Sequence, residues 1–101
     1  MNLVEFKLSL SDELPPIGLQ DLLQAQWIEA KADLDFALSI AQENPRYEGS
    51  WVHAYLHWKK GDLSNTSYWY FRASITKPDN LLQQEWNNIV NTLLAKSVVK
   101  C

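Results

Sequence analysis

"WVHAYLHWKKGDLSNTSYWYFRA", residues Trp51 to Ala73, decides how this chain folds. Its first half places Trp51, Ala54, Tyr55 and Trp58 three and four residues apart, the spacing at which side chains share one helical face. Val52 and Leu56 widen that face round the side, so His53 and His57 remain as a polar seam on a largely apolar helix. Ser50 is suited to cap its start. Lys59 and Lys60 suit the negative end of the helix dipole, and Gly61 suits the left-handed residue that ends many helices. Asp62 then caps a second helix, Leu63 to about Ile75, with Asn65 at the position from which a capping side chain reaches back. The stretch therefore predicts a helix over 51–59, a tight turn and a second helix.

The same turn recurs upstream. "KAD" (31–33) lies 29 residues before "KGD" (60–62), and the same shift lays Leu34 on Leu63, Ala37 on Thr66 and Ala41 on Tyr70. Leu19, Leu22, Leu23, Trp27 and Ala30 form a helical stripe in which Gln26 is the polar exception; Leu34, Ala37, Leu38 and Ala41 follow. Residues 19–42 read as one helix, or as two joined at Lys31–Asp33 with Asp33 as a cap. Pro45 and Gly49 punctuate a loop. Downstream, "TKPDN" ends the second hairpin. Asp79 or Asn80 then caps a last helix through Lys96, with Leu82, Trp86, Ile89, Val90, Leu93 and Leu94 on one stripe.

At the other end, "NLVEFKLSL" alternates apolar and polar residues, the period of a strand. The expectation is an extended N-terminal arm over residues 1–14, closed by Pro15 and Pro16, ahead of one helical domain over 15–101. Such an arm lies on the helices, or pairs through residues 3–10 with a second copy as a homodimer.

The 101 residues suit a single core, and five tryptophans supply an unusual share of it. The net charge of −3 disfavours generic nucleic-acid binding. Nine acids and three bases give residues 1–48 a charge of −6; three acids and six bases give residues 49–101 a charge of +3. That dipole lets the halves attract each other, or lets copies dock head to tail. No apolar run reaches the ~18 residues of a membrane span, and the N-terminal stretch has no signal-peptide pattern. Cys101 is the single cysteine, so it forms no internal disulfide and no paired-cysteine zinc motif. The expectation is a reduced, cytoplasmic protein without membrane contact and with no cofactor implied.

The repeated hairpin resembles the tetratricopeptide repeat: Ala54 in the first helix, Gly61-Asp62-Leu63 at the turn, Thr66, Tyr70 and Ala73 on the second helix, and Pro78 after it. The repeat's usual Leu-Gly pair is missing, and Thr66 stands where an alanine is usual. The fold expected is all-α, a tetratricopeptide-like bundle of about five helices with the extended arm. A second resemblance spans roughly residues 15–95. "AQWIEAKADLDFALSIAQ", "WVHAYLHWKKGDLSNTSYWYFRA" and "LLQQEWNNIVNTLL" look like a family of small bacterial proteins that read A-L-W-x-x-A-K-G-D-W-x-x-A-H, then V-H-A-Y-L-H-R-x-E-G-D-x-x-N-A-x-Y-W-Y-x-R-A. The resemblance implies no particular activity. This chain departs from it at Ala32 (glycine in the family), Leu38 (a third histidine) and Lys60 (glutamate), so any three-histidine or His-Glu site would be incomplete here.

The chemistry-bearing residues cluster in the second hairpin. Asn65, Tyr68, Trp69 and Arg72 follow one another at i, i+3, i+4 and i+7 on the helix face opposite Leu63, Thr66, Tyr70 and Ala73. With His53 and His57 they make a candidate surface where Arg72 clamps a carboxylate or phosphate of a peptide or protein partner, or of a small anion. The alternative groove is the apolar face Trp51, Tyr55 and Trp58. The plainer reading is packing, with Arg72 stacked on a ring and paired with a local acid. His53 and His57, at i and i+4, are weak candidates to share a metal, with no third ligand evident. No motif for nucleophilic catalysis is present. The leading expectation is a small non-enzymatic binding or adaptor protein, and the alternative is a metal-dependent or histidine-assisted enzyme in which His57 works with Asp62.

Overall fold

A computed structural model describes residues 1–98 and contains six helices and no strand among them. They are α1 (Leu3–Ser9), α2 (Asp21–Ala30), α3 (Leu34–Gln42), α4 (Tyr47–Lys60), α5 (Leu63–Arg72) and α6 (Leu82–Val98). Cys101 lies outside the described residues. Among the described residues no helix is long and apolar enough to cross a membrane.

Both hairpins form, and both turn in the same way. Gly61 takes φ +87° after α4, and Ala32 takes φ 75° after α2. The following N–H reaches back across each turn, Asp62 to the His57 carbonyl (3.0 Å) and Asp33 to the Ile28 carbonyl (3.2 Å). Asp33 accepts the Phe36 N–H and Asp62 accepts the Asn65 N–H, so each aspartate caps the next helix. Residues 19–42 are thus two helices. The chain leaves α5 by the same device, with Ser74 at φ 60° and the Ile75 N–H on the Tyr70 carbonyl.

The N-terminal arm is a correction. Residues 3–9 are helical, not the expected extended strand. Asn2 Oδ1 accepts the Glu5 N–H (2.8 Å) while Glu5 Oε1 accepts the Asn2 N–H (2.9 Å), a complete capping box. Leu3, Phe6 and Leu10 then fall on one helical face. Phe6 is fully buried against Trp86, and Val4 and Leu8, 65 % and 69 % exposed, point away. Trp27 donates to Ser9 Oγ (3.0 Å), and Lys31 Nζ donates to the Leu10 and Asp12 carbonyls (2.6 and 3.0 Å), tying α1 to the first hairpin.

Two further boundaries differ. Ser50 does not cap α4, because the helix already begins at Tyr47 with Arg46 as N-cap. The Asn44 side chain accepts the Arg46 N–H (2.9 Å) and turns the chain early. Gly49 lies inside α4, where an added Cβ would meet the Asn44 carbonyl oxygen at 2.2 Å; glycine lets the 43–46 loop fold onto the helix. The start of α6 follows Leu81, whose N–H is accepted by the Gln84 side chain, rather than Asp79 or Asn80.

α3 packs on α4, and α6 lies across α1, α2 and α4. Its Trp86, Ile89, Val90, Leu93 and Leu94 meet Leu22, Leu23, Val52 and Leu56 in the core. Each such side chain, fully buried, contributes about 1.5–3 kcal/mol. Two carboxylates are buried with them. Glu85 accepts from Trp51 Nε1 and the Tyr70 hydroxyl, both at 2.8 Å, and the burial and this bond raise the Tyr70 pKa. Glu29 is ion-paired with Lys59; burial pushes its pKa up, and Lys59 opposes that shift.

Candidate functional site

The left-handed turn at Gly61 brings α5 back along α4, and the seam side of α4 meets the Trp69 side of α5. His53 lies face to face with Trp69 (ring centroids 4.1 Å, planes 15° apart) and with His57 (4.8 Å, 14°). Tyr68 meets Trp69 edge-on at 5.2 Å. Arg72 closes the run, its guanidinium 5.5 Å from the Trp69 ring and 5.8 Å from the Tyr68 ring. The result is one continuous stack running His57, His53, Trp69, Arg72 and Tyr68.

Arg72 gives one of its five N–H donors to the Tyr68 hydroxyl (2.9 Å), and no acid pairs with it among the described residues. The expected local acid is thus replaced by aromatic support. Tyr68 is 49 % exposed and Arg72 is also exposed, so the outer end of the stack faces solvent. The inner end is enclosed. His53 is only 7 % exposed; desolvation, then the neighbouring His57, depress its pKa to about 4. At neutral pH it is an uncharged ring with one donor and one acceptor.

The loop between α3 and α4 supplies the opposite wall. A cleft of about 170 Å³ is bounded by Asn44, Pro45, Ser50, His53, Trp69 and Arg72. A wider recess of about 620 Å³, with Arg46 and Tyr47 on its rim, shares Pro45, Ser50 and Arg72 with it. Arg46 and Arg72 both line the wider recess, together with Glu48, which is ion-paired with Lys96; of the two arginines only Arg72 also borders the cleft that holds His53 and Trp69.

Sequence reasoning missed Arg46 and Ser50, whose roles depend on the loop folding back over Gly49. The one local signal was Asn44-Pro45 ahead of a glycine, which marks a turn but not its direction. Asn65 stands apart from the stack, its amide donating to Asp62 Oδ2 (2.7 Å) within the cap. That bond and the Asn65 backbone N–H lower the Asp62 pKa.

The alternative groove is divided. Tyr55 is buried beside α6, Trp51 is committed to Glu85, and Trp58 carries Lys77 Nζ over its ring at 4.0 Å. His57 Nδ1 is 3.8 Å from Asp62 Oδ2, beyond hydrogen-bond reach, and has no hydrogen-bond partner among the described residues. Burial lowers the His57 pKa, with Asp62 opposing. Among the described residues no three His, Cys, Asp or Glu side chains gather into a metal-binding group.

Compared with known proteins, the chain has no match to a family model, to a curated protein or to a solved structure.

Proposed function

We propose that this chain is a small cytoplasmic, non-enzymatic binding protein built on tetratricopeptide-like hairpins, which holds a carboxylate or phosphate group of a peptide or small molecule between Arg72 and Arg46. The observation that carries this reading is Arg72 itself: a guanidinium stacked on two rings, unpaired with any acid among the described residues, at the mouth of a cleft. Aromatic support fixes the planar fork before a ligand arrives, which reduces the ordering cost of binding. His53 adds a neutral donor and acceptor at the floor. Two identically built turns 29 residues apart, with α3 packed on α4, support the repeat-like arrangement. Kinship with the small bacterial proteins that the motifs resemble is part of the same proposal. The left-handed Ala32, at a position where their pattern has glycine, supports it.

Nuclear magnetic resonance titration of the ¹⁵N-labelled chain tests the reading, with inorganic phosphate in one series and a short acidic peptide in the other. The expected result is saturable shifts of the Trp69 indole N–H and the Arg72 side-chain N–H, with the two series separating small anion from peptide. Titrations that leave both signals unmoved, or that move only the indoles of Trp27 and Trp86, would overturn it.

A further inference from the structure

We propose that the recess between α1, α2, α4 and α6 is a second binding site, for a small zwitterion carrying a primary ammonium and a carboxylate, the chemistry of a free α-amino acid. Tyr55 and Lys59 put this recess on the side of α4 opposite His53 and His57. Its volume is about 350 Å³; Leu10, Ala30 and Trp86 are its apolar walls, and Gln83 joins Lys7, Glu29, Tyr55 and Lys59 in its polar lining.

The buried carboxylates show why a ligand is called for. Glu85 has donors from Trp51 and Tyr70. Glu29, 2 % exposed, has Lys59 on one oxygen and the Trp86 indole near its carboxylate, while Oε2 is buried with no hydrogen-bond partner among the described residues. One turn earlier on α2, both amide atoms of Gln26 are also buried and unpartnered. A buried carboxylate oxygen without a donor is unfavourable, and a ligand's N–H is one group that would satisfy it.

Charge selects the ligand. The lining holds one acid and two lysines, and Lys59 is already committed to Glu29. A simple amine would satisfy Oε2 but sit between two ammonium groups. A simple carboxylate would suit Lys7 but leave Oε2 bare and add a like charge beside it. A zwitterion gives its ammonium to Glu29 and its carboxylate to Lys7, leaving an aliphatic side chain for Leu10 and Trp86. Lys59 is the group that gives way on entry, since its stem is long and its side chain is 42 % exposed.

Isothermal titration calorimetry on the full chain tests this with glycine, L-leucine, L-glutamate and L-lysine, and with acetate and methylammonium as half-ligands. At least one amino acid is expected to saturate a single site, with each half-ligand at least tenfold weaker. Glu29→Gln and Lys7→Met should each weaken that binding at least tenfold. If Glu29→Gln fails to fold, Lys7→Met, on an exposed side chain, and the half-ligands decide. No saturable heat from any amino acid, equal binding to Lys7→Met, or a half-ligand as tight as the whole would overturn the assignment.

Discussion

The hairpins α2–α3 and α4–α5 close on the same turn and are lined by different chemistry. Each has a lysine, a left-handed residue and a capping aspartate in order. Shifted by 29 residues, however, Gln24, Ile40 and Glu43 stand where the second hairpin has His53, Trp69 and Arg72. Ala37 and Ala41 likewise stand where it has Thr66 and Tyr70. The first hairpin buries small residues at these positions, whereas the second stacks His53 on Trp69 and sends the Thr66 and Tyr70 hydroxyls to the Asp62 carbonyl and to Glu85 on α6. The comparison separates two layers of information: turn and cap chemistry makes a hairpin, and the outward positions on the same frame are free to carry a site.

The largest expected break in the symmetry is at Tyr70. Tyr70→Ala removes a buried ring and should cost about 3–5 kcal/mol in urea unfolding. Tyr70→Phe keeps the ring but leaves Glu85 with Trp51 alone, at about 1–3 kcal/mol. Its counterpart Ala41 has no such bond, and Ala41→Gly should cost only about 1 kcal/mol. A neutral Tyr70→Phe would show that Glu85 does not depend on that hydroxyl.

The next difference is in pH. The folded His53 resists protonation until about pH 4, whereas in the unfolded chain it takes its proton near 6.5. Between those values the unfolded state binds more protons, so stability is full above 6.5 and falls as the pH drops toward 4. The loss should reach about 1–3 kcal/mol. His57, also depressed, adds to the slope in the same direction, and Glu29, raised by burial, acts in the opposite direction. His53→Gln, which installs the residue of the first hairpin, isolates the term: the difference between the two unfolding curves should carry the slope. Parallel curves would place His53 outside the enclosed stack.

The caps and turns should respond alike in both hairpins. Asp33→Ala and Asp62→Ala should each cost about 0.5–2 kcal/mol. If Asp62→Ala left stability intact but abolished ligand binding, Asp62 would belong to the site. Gly61→Ala should cost, and Ala32→Gly should gain, about 0.5–1 kcal/mol, because only glycine takes positive φ without strain. Equal signs for the two would break the equivalence of the turns.

What could be read from sequence follows the same division. The hairpin turns were legible because a left-handed residue followed by a capping aspartate is local chemistry. The first helix was not, because Leu3, Phe6 and Leu10 fit a helix while Val4, Phe6 and Leu8 fit a strand, and only burial against Trp86 chooses between them. The overlooked local signal was Asn2 three residues before Glu5. Ser50 had the chemistry of a cap, yet the contact of Gly49 with Asn44 put it inside a helix. At the candidate site, helical spacing grouped His53, His57, Tyr68, Trp69 and Arg72. It also included Asn65, which the cap takes, and could not include Arg46, which arrives by way of a loop.

The central claim is that the outer end of the ring stack binds an anion without holding the fold together. Arg72→Ala, measured for both urea unfolding and affinity for inorganic phosphate and an acidic peptide, tests it most directly. The account predicts at least a tenfold loss of affinity with less than about 1 kcal/mol lost in stability, as for a surface substitution. A loss of several kcal/mol, or affinity unchanged by the substitution, would contradict it and return the whole stack to packing.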